Sequence, residues 1–156
     1  MLRIGKLTDY ATVILAGLAA DRSRLLTAGK LSERTHIASP TVAKLLKQMH
    51  RAGLVNSTRG THGGYQLARE PEDISAAAIL DALEGPFALT ECAAGSGQCD
   101  IEHSCSVGRA WQRLSLAIHR SLSEVSLAQL AGLDERPAAM PVERELKYMA
   151  RAKAAS

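Results

Sequence analysis

Three cysteines, Cys92, Cys99 and Cys105, stand within fourteen consecutive residues, and the chain contains no others. The stretch reads Cys92-Ala-Ala-Gly-Ser-Gly-Gln-Cys99-Asp-Ile-Glu-His-Ser-Cys105. Gly and Ser make it a pliable loop with no face to bury. Thiolates on such a tether can converge on zinc or on an iron–sulfur centre, both of which favour soft sulfur ligands. A structural zinc staple is the plainer alternative, but the Cys-x-x-Cys pairs common in such sites are missing. A nucleophilic cysteine with His103 as base is a third reading. It lacks an oxyanion site and a substrate pocket, and a flexible loop is a poor catalytic platform. No enzymatic activity and no catalytic residue are therefore expected. An odd number of cysteines does not close a disulfide framework, so the setting expected is reducing and cytoplasmic.

The charge of the chain divides along its length. Residues 1–70 carry eleven Lys and Arg against four Asp and Glu, a net of +7; residues 71–156 carry eight against twelve, a net of −4. A basic first half suits a polyanion such as DNA, whose condensed counterions are released when Lys and Arg neutralise phosphates. Arg3 and Lys6 ahead of the apolar run Ala11–Ala20 imitate a secretory signal. Thr8 and Asp9 instead make the start of a helix. No stretch reaches the roughly 18 apolar residues that a bilayer demands, so no membrane partner is expected.

The elements that must position the loop can be read in order. Thr8 to Ala20 is a helix whose apolar face includes Val13, Ile14, Leu15 and Leu18. Thr27 caps a second helix, Ala28 to about His36. Ser39-Pro40 opens a third, with Ser as N-cap and Pro at the first helical position. Val42, Leu45, Leu46 and Met49 repeat at i, i+3, i+4 and i+7 and face the core. Thr41, Lys44, Lys47, Gln48 and Arg51 occupy the other face, able to meet phosphates or base edges. Gly53 ends this helix. Leu54 to Arg59 and Tyr65 to Leu67 are short strands around the glycine-rich tip Gly60-Thr-His-Gly-Gly64. This is the layout of a winged helix-turn-helix: a third helix for the major groove and a hairpin for the neighbouring backbone or minor groove. The tip matches no nucleotide-binding glycine motif, and a strand rather than a helix follows it.

Pro71 opens a linker, Ser75 caps a fourth helix to Glu84, and Gly85-Pro86 ends it. A long helix from about Ser106 to Ser123 spaces Val107, Ala110, Trp111, Leu114, Ala117, Ile118 and Leu122 at helical intervals. Trp111 belongs to this packing stripe, which is a natural dimer seam. Ser126 caps a last short helix. The fold class is thus mostly α with a small β-hairpin wing: a winged helix-turn-helix domain plus a long dimerisation helix. Residues 1–70 form the DNA-binding domain, 71–133 the cysteine loop and dimerisation region, and 134–156 a mobile tail in which Val142 to Ala152 has marginal helical character.

The run Leu54-Val-Asn-Ser-Thr-Arg-Gly-Thr-His-Gly-Gly-Tyr-Gln-Leu67 resembles the wing of the IscR/NsrR family of bacterial winged-helix regulators. Leu2 to Ala11 and Ser39-Pro40-Thr41-Val42 resemble it as well, and the three-cysteine loop lies where that family keeps its cluster ligands. The opening stretch looks most like the branch that regulates iron–sulfur assembly by the SUF system. The resemblance implies a homodimer on a palindromic double-stranded operator, with an iron–sulfur cluster, 2Fe–2S or 4Fe–4S, held by Cys92, Cys99 and Cys105. It implies Arg59 in the minor groove, Ser39, Thr41, Lys44 and Lys47 along the major groove, and His62 near the backbone. The family's usual loop spaces its cysteines five and five apart, whereas here six and five residues intervene. IscR-like members place a His three residues after the last cysteine, where this chain has Gly108. NsrR-like members use an Asp near the N-terminus, reaching from the partner subunit, and Asp9 holds the matching place. Glu102 and His103 are the alternatives within the loop.

Overall fold

The computed structural model describes residues 3–93 and 105–134. Cys99, Glu102, His103 and the tail from 135 onward lie outside the described residues. Six α-helices and one two-stranded antiparallel sheet are described, and no described helix is long and apolar enough to cross a membrane.

Helix α1 (Lys6–Ala19) starts two residues before the expected Thr8. Its N-cap is Gly5, which has no side chain to offer the free N–H groups of the first turn. The cap comes from far along the chain instead. Glu84 Oε1 accepts from the Gly5 N–H at 2.9 Å and from the Thr8 hydroxyl at 2.6 Å. Thr8 is therefore buried inside the helix rather than capping it, and Asp9 lies exposed in its first turn. The face of α1 formed by Ala11, Ile14, Leu15 and Leu18 is buried, whereas Val13 is exposed.

Helix α2 (Ala28–Thr35) is capped by the Thr27 side chain, which accepts from the Lys30 N–H. It ends at His36, the one non-glycine among the described residues with a positive φ, at 56°. Ser32 donates to the Ile37 carbonyl at 2.6 Å and holds the turn that follows. Helix α3 (Ser39–Arg51) then begins one residue earlier than the Ser39 cap foresaw. The Ala38 carbonyl accepts from Thr41 and Val42, so Ala38 is the N-cap and makes no side-chain cap. Pro40 sits in the first turn, where the N–H it lacks would have no partner anyway. Val42, Leu45, Leu46 and Met49 are fully buried, as their spacing demanded. Gln48 does not join the outward face: its Nε2 donates to the carbonyls of Leu83, at 3.2 Å, and Ala82, at 3.5 Å. That satisfies carbonyls left free at the end of the next helix.

Gly53, at φ 71°, closes α3, with Gly53 N–H on the His50 carbonyl and Leu54 N–H on that of Met49. This is the paired-bond helix ending that favours glycine. Strands β1 (Val55–Thr58) and β2 (Gly64–Leu67) pair from Val55 opposite Leu67 to Thr58 opposite Gly64. Leu26 exchanges both backbone bonds with Tyr65 and anchors the hairpin base to the helical body. The expected linker at Pro71 is instead a 3-10 turn, Pro71–Asp73, whose proline is buried. Helix α4 (Ala76–Glu84) is capped by Ser75, and α6 (Leu127–Leu130) by a reciprocal box of Ser126 and Gln129. The two helix starts are bound to each other, Ala76 N–H to the Val125 carbonyl and Leu127 N–H to that of Ile74. Between them runs α5 (Gly108–Ser123).

One hydrophobic cluster links these parts, running from Ala11 of α1 through the α3 residues to Ile74, Ile79 and Leu127. Burying each such aliphatic side chain contributes about 1.5–3 kcal/mol. Truncating Leu46 to Ala, at the centre of this cluster, is expected to lower unfolding free energy by about 2–5 kcal/mol in urea titrations. The Lys47→Ala change one residue on is expected to stay within about 0.5 kcal/mol.

Candidate DNA interface and cysteine centre

The residues expected to face DNA come from two elements. On α3, Ser39, Lys44, Lys47 and Arg51 are exposed and Thr41 is half-buried, opposite the buried Val42–Met49 stripe. Lys44, Lys47 and Arg51 follow at spacings that keep them on one side of the helix. Helix α3 packs against α1, α2, α4 and β1, so its position is fixed from behind.

The hairpin tip supplies the rest. Arg59 and His62 are both exposed there. The turn is closed by the Gly63 N–H on the Gly60 carbonyl at 3.0 Å, with Gly60 at φ 114°. A Cβ on Gly63 would lie 2.3 Å from the Thr58 carbonyl oxygen, so only glycine permits this close approach. Among the described residues none of Lys44, Lys47, Arg51 and Arg59 is engaged in an ion pair. Their charges are open to a polyanion.

The cysteine centre is framed by α5. After α4, Asp81 Oδ1 accepts from the Phe87 N–H at 3.2 Å, while its Oδ2 lies 2.9 Å from His119 Nε2. Two residues on, the Leu89 N–H donates to Ser115 Oγ at 3.1 Å, and that hydroxyl donates to the Trp111 carbonyl. The anchors step backward along α5, from 119 to 115, as the chain advances from 87 to 89. The segment therefore runs antiparallel to α5 and into a 3-10 turn, Glu91–Ala93, that packs on the helix and contains Cys92. Cys105 is a half-buried free thiol three residues ahead of the α5 N-terminus. The turn containing Cys92 thus packs on α5 and Cys105 leads into that helix, and thiolates are donors that an iron–sulfur group accepts.

Asp9 is exposed in the first turn of α1. Among the described residues no group of three or more His, Cys, Asp or Glu side chains stands close enough to hold a metal ion. Asp9 instead borders a groove of about 670 Å³ between the start of α1 and Leu80, Leu122, Val125 and Leu130. Val107, just before α5, and Trp111 and Leu114 on it are exposed while Ser115 is buried, so the apolar stripe seen in the sequence turns largely to solvent. Glu84, Asp81, Ser115 and His119 escaped the sequence reading. Their roles depend on partners up to 79 residues away, which no local pattern reports.

The family model described as "Rrf2: Iron-dependent Transcriptional regulator" matches residues 4–132. The chain belongs to the Rrf2 family of transcriptional regulators. It is 33% identical over 122 residues to the protein rrf2 of Nitratidesulfovibrio vulgaris, covering 78% of this chain and 81% of that protein. It is 32% identical over 133 residues to the transcriptional regulator IscR of Cereibacter sphaeroides, covering 82% and 86%. Among solved structures it resembles T. potens IscR (27% identity, TM-score 0.65, 92% of this chain and 96% of that one). It also resembles CymR, the global cysteine regulator of B. subtilis (26% identity, TM-score 0.69, 86% and 100%). An Rrf2 member is a DNA-binding regulator rather than an enzyme, and the winged helix-turn-helix architecture matches that membership.

The anchoring of the loop can be tested without any metal. Replacing Ser115 by Ala removes the acceptor for the Leu89 N–H and is expected to cost about 1–3 kcal/mol of stability. Hydrogen exchange at Leu89 and through 90–93 is expected to accelerate, while exchange in α3 stays unchanged.

Proposed function

We propose that this Rrf2 regulator is a repressor that reads the supply or integrity of iron–sulfur clusters, or their damage by oxidants or nitric oxide, and controls iron–sulfur assembly genes. The observation that carries the reading is that both described ends of the three-cysteine loop meet α5, one by packing on it and the other by leading into it. Cys92, Cys99 and Cys105 would hold a 2Fe–2S or 4Fe–4S cluster, whose chemistry when bound is a bond set broken by oxidants, nitric oxide or iron loss. The fourth ligand is Asp9 of the partner subunit; an oxygen donor there makes the site readily lost, which suits a sensor. The protein works in the reducing cytoplasm, where its thiols stay available.

The chain's own residues do the rest. Two subunits pair through the apolar stripe of α5, where the exposed Ala110 and Ala117 let the backbones of two helices approach closely. Pairing sets two α3 helices on successive major grooves, about 34 Å apart, of a palindromic double-stranded operator. Ser39, Thr41, Lys44 and Lys47 lie along each groove, Arg59 enters the minor groove, and His62 meets the backbone. The narrow minor groove concentrates negative potential, which favours an inserted guanidinium.

Two measurements test this. Lys44→Ala and Lys47→Ala are each expected to weaken binding on all sequences and to flatten the salt dependence by about one phosphate contact, whereas Arg59→Ala relaxes sequence preference. Unchanged binding in all three would refute the DNA placement. Anaerobically purified protein is expected to carry iron, sulfide and visible absorption that Cys92→Ser, Cys99→Ser and Cys105→Ser each abolish. A colourless protein with stoichiometric zinc would overturn the reading in favour of a structural staple.

A further inference from the structure

Glu84 stands where two parts of the molecule meet. It is the last residue of α4, directly before the Gly85-Pro86 break and the segment that carries Cys92. Through one carboxylate oxygen it also caps the first turn of α1, which carries Asp9. From α1 the path to DNA is short, because α1 packs directly on both α2 and α3. Gln48 of α3 reaches the carbonyls of Ala82 and Leu83, the two residues before Glu84, so the same helix end is held from the recognition helix too.

We propose that Glu84 is a positioning residue that couples the cysteine loop to the DNA-reading helices. It does so by holding the α1 N-terminus against the end of α4. The inference rests on the cluster reading above and goes beyond it by assigning the coupling to a residue that touches neither cluster nor DNA. The cap bonds have a defined chemistry. One carboxylate oxygen accepts two donors, an amide N–H at the positive end of the α1 dipole and a hydroxyl buried in the first turn. A displacement of the 85–93 segment pulls on α4's last residue, and the two bonds pass that displacement to α1. With the bonds absent, the first turn of α1 is no longer tied to the end of α4, and the loop's state reaches α3 only through the Gln48 bonds and the packing of α1 and α3 on α4.

The surroundings of Gly5 offer a second way to break the link. A Cβ at this position would lie 2.6 Å from Glu84 Oε1, the end of a flexible side chain, so Ala there would push the carboxylate off its donors. Gly5 has φ −60°, which alanine adopts freely, so backbone strain does not confuse the result.

The experiment compares operator affinity of cluster-loaded and cluster-free protein for the wild type and for Glu84→Ala, Glu84→Gln and Gly5→Ala. Loading is checked by absorption, and hydrogen exchange is followed at residues 5–9. The wild type is expected to show a loaded-to-free affinity ratio, in either direction, of about tenfold or more, in the usual range of allosteric coupling. Glu84→Ala and Gly5→Ala are expected to load the cluster, to exchange faster at residues 5–9, and to reduce that ratio by at least about threefold. Glu84→Gln keeps an oxygen acceptor and is expected to retain the ratio. If Glu84→Ala does not fold, Gly5→Ala decides alone. A wild-type ratio preserved in the loaded Ala variants would overturn the coupling, as would its loss in Glu84→Gln. A wild type with equal affinity in both states would instead overturn the cluster reading on which the coupling rests.

Discussion

Helix α1 is the constraint on which the rest of the structure depends. Its buried face, Ala11, Ile14, Leu15 and Leu18, meets α2, α3, α4, α6 and the wing strand β2 at once. Close-packed interiors transmit displacement rather than absorbing it. An element that touches every side of the core therefore ties α2 and α3 to α4 and α6 beyond residue 70. Polar contacts at the helix ends add to that packing, Glu84 at the α1 N-terminus and Gln48 between α3 and α4.

The second half of the molecule uses the same economy of contacts. Asp81 binds both His119 and the Phe87 N–H, and Ser115 binds the Leu89 N–H. These bonds hold an otherwise irregular strip of chain along α5 and deliver it to Cys92. The same helix begins three residues after Cys105 and turns its apolar stripe, with Trp111 and Leu114, outward. One helix thus meets the turn that contains Cys92 and presents an exposed apolar stripe, the two features on which the proposed sensing rests.

Much of this was legible in the residues. The i, i+3, i+4, i+7 spacing of Val42, Leu45, Leu46 and Met49 fixed the orientation of α3, because a core face at helical period leaves one choice of outward face. The glycines around Arg59 marked the wing, and Thr27, Ser75 and Ser126 marked helix starts through a local side-chain bond. The errors share a cause. Ser39 and Thr8 carry the right chemistry for caps, yet the Ala38 carbonyl and Glu84 take those places through geometry that appears only after folding. Gln48 reads as an outward polar residue until the end of α4 arrives beside it. The clustering of Cys92, Cys99 and Cys105 prompts the proposal of a soft-metal site, whereas the segment that brings Cys92 to α5 was invisible, since Asp81, Ser115 and His119 look like ordinary surface residues.

The central claim is that the cysteine loop holds a cluster whose presence sets DNA affinity. The most direct measurement is an anaerobic operator titration on one wild-type preparation before cluster removal, after removal by a chelator, and after reconstitution with iron and sulfide. The account predicts that affinity changes by about tenfold or more on removal and returns on reconstitution, tracking the visible absorption at each stage. Three superimposable binding curves, or a protein that takes up no iron when reconstituted, would contradict it.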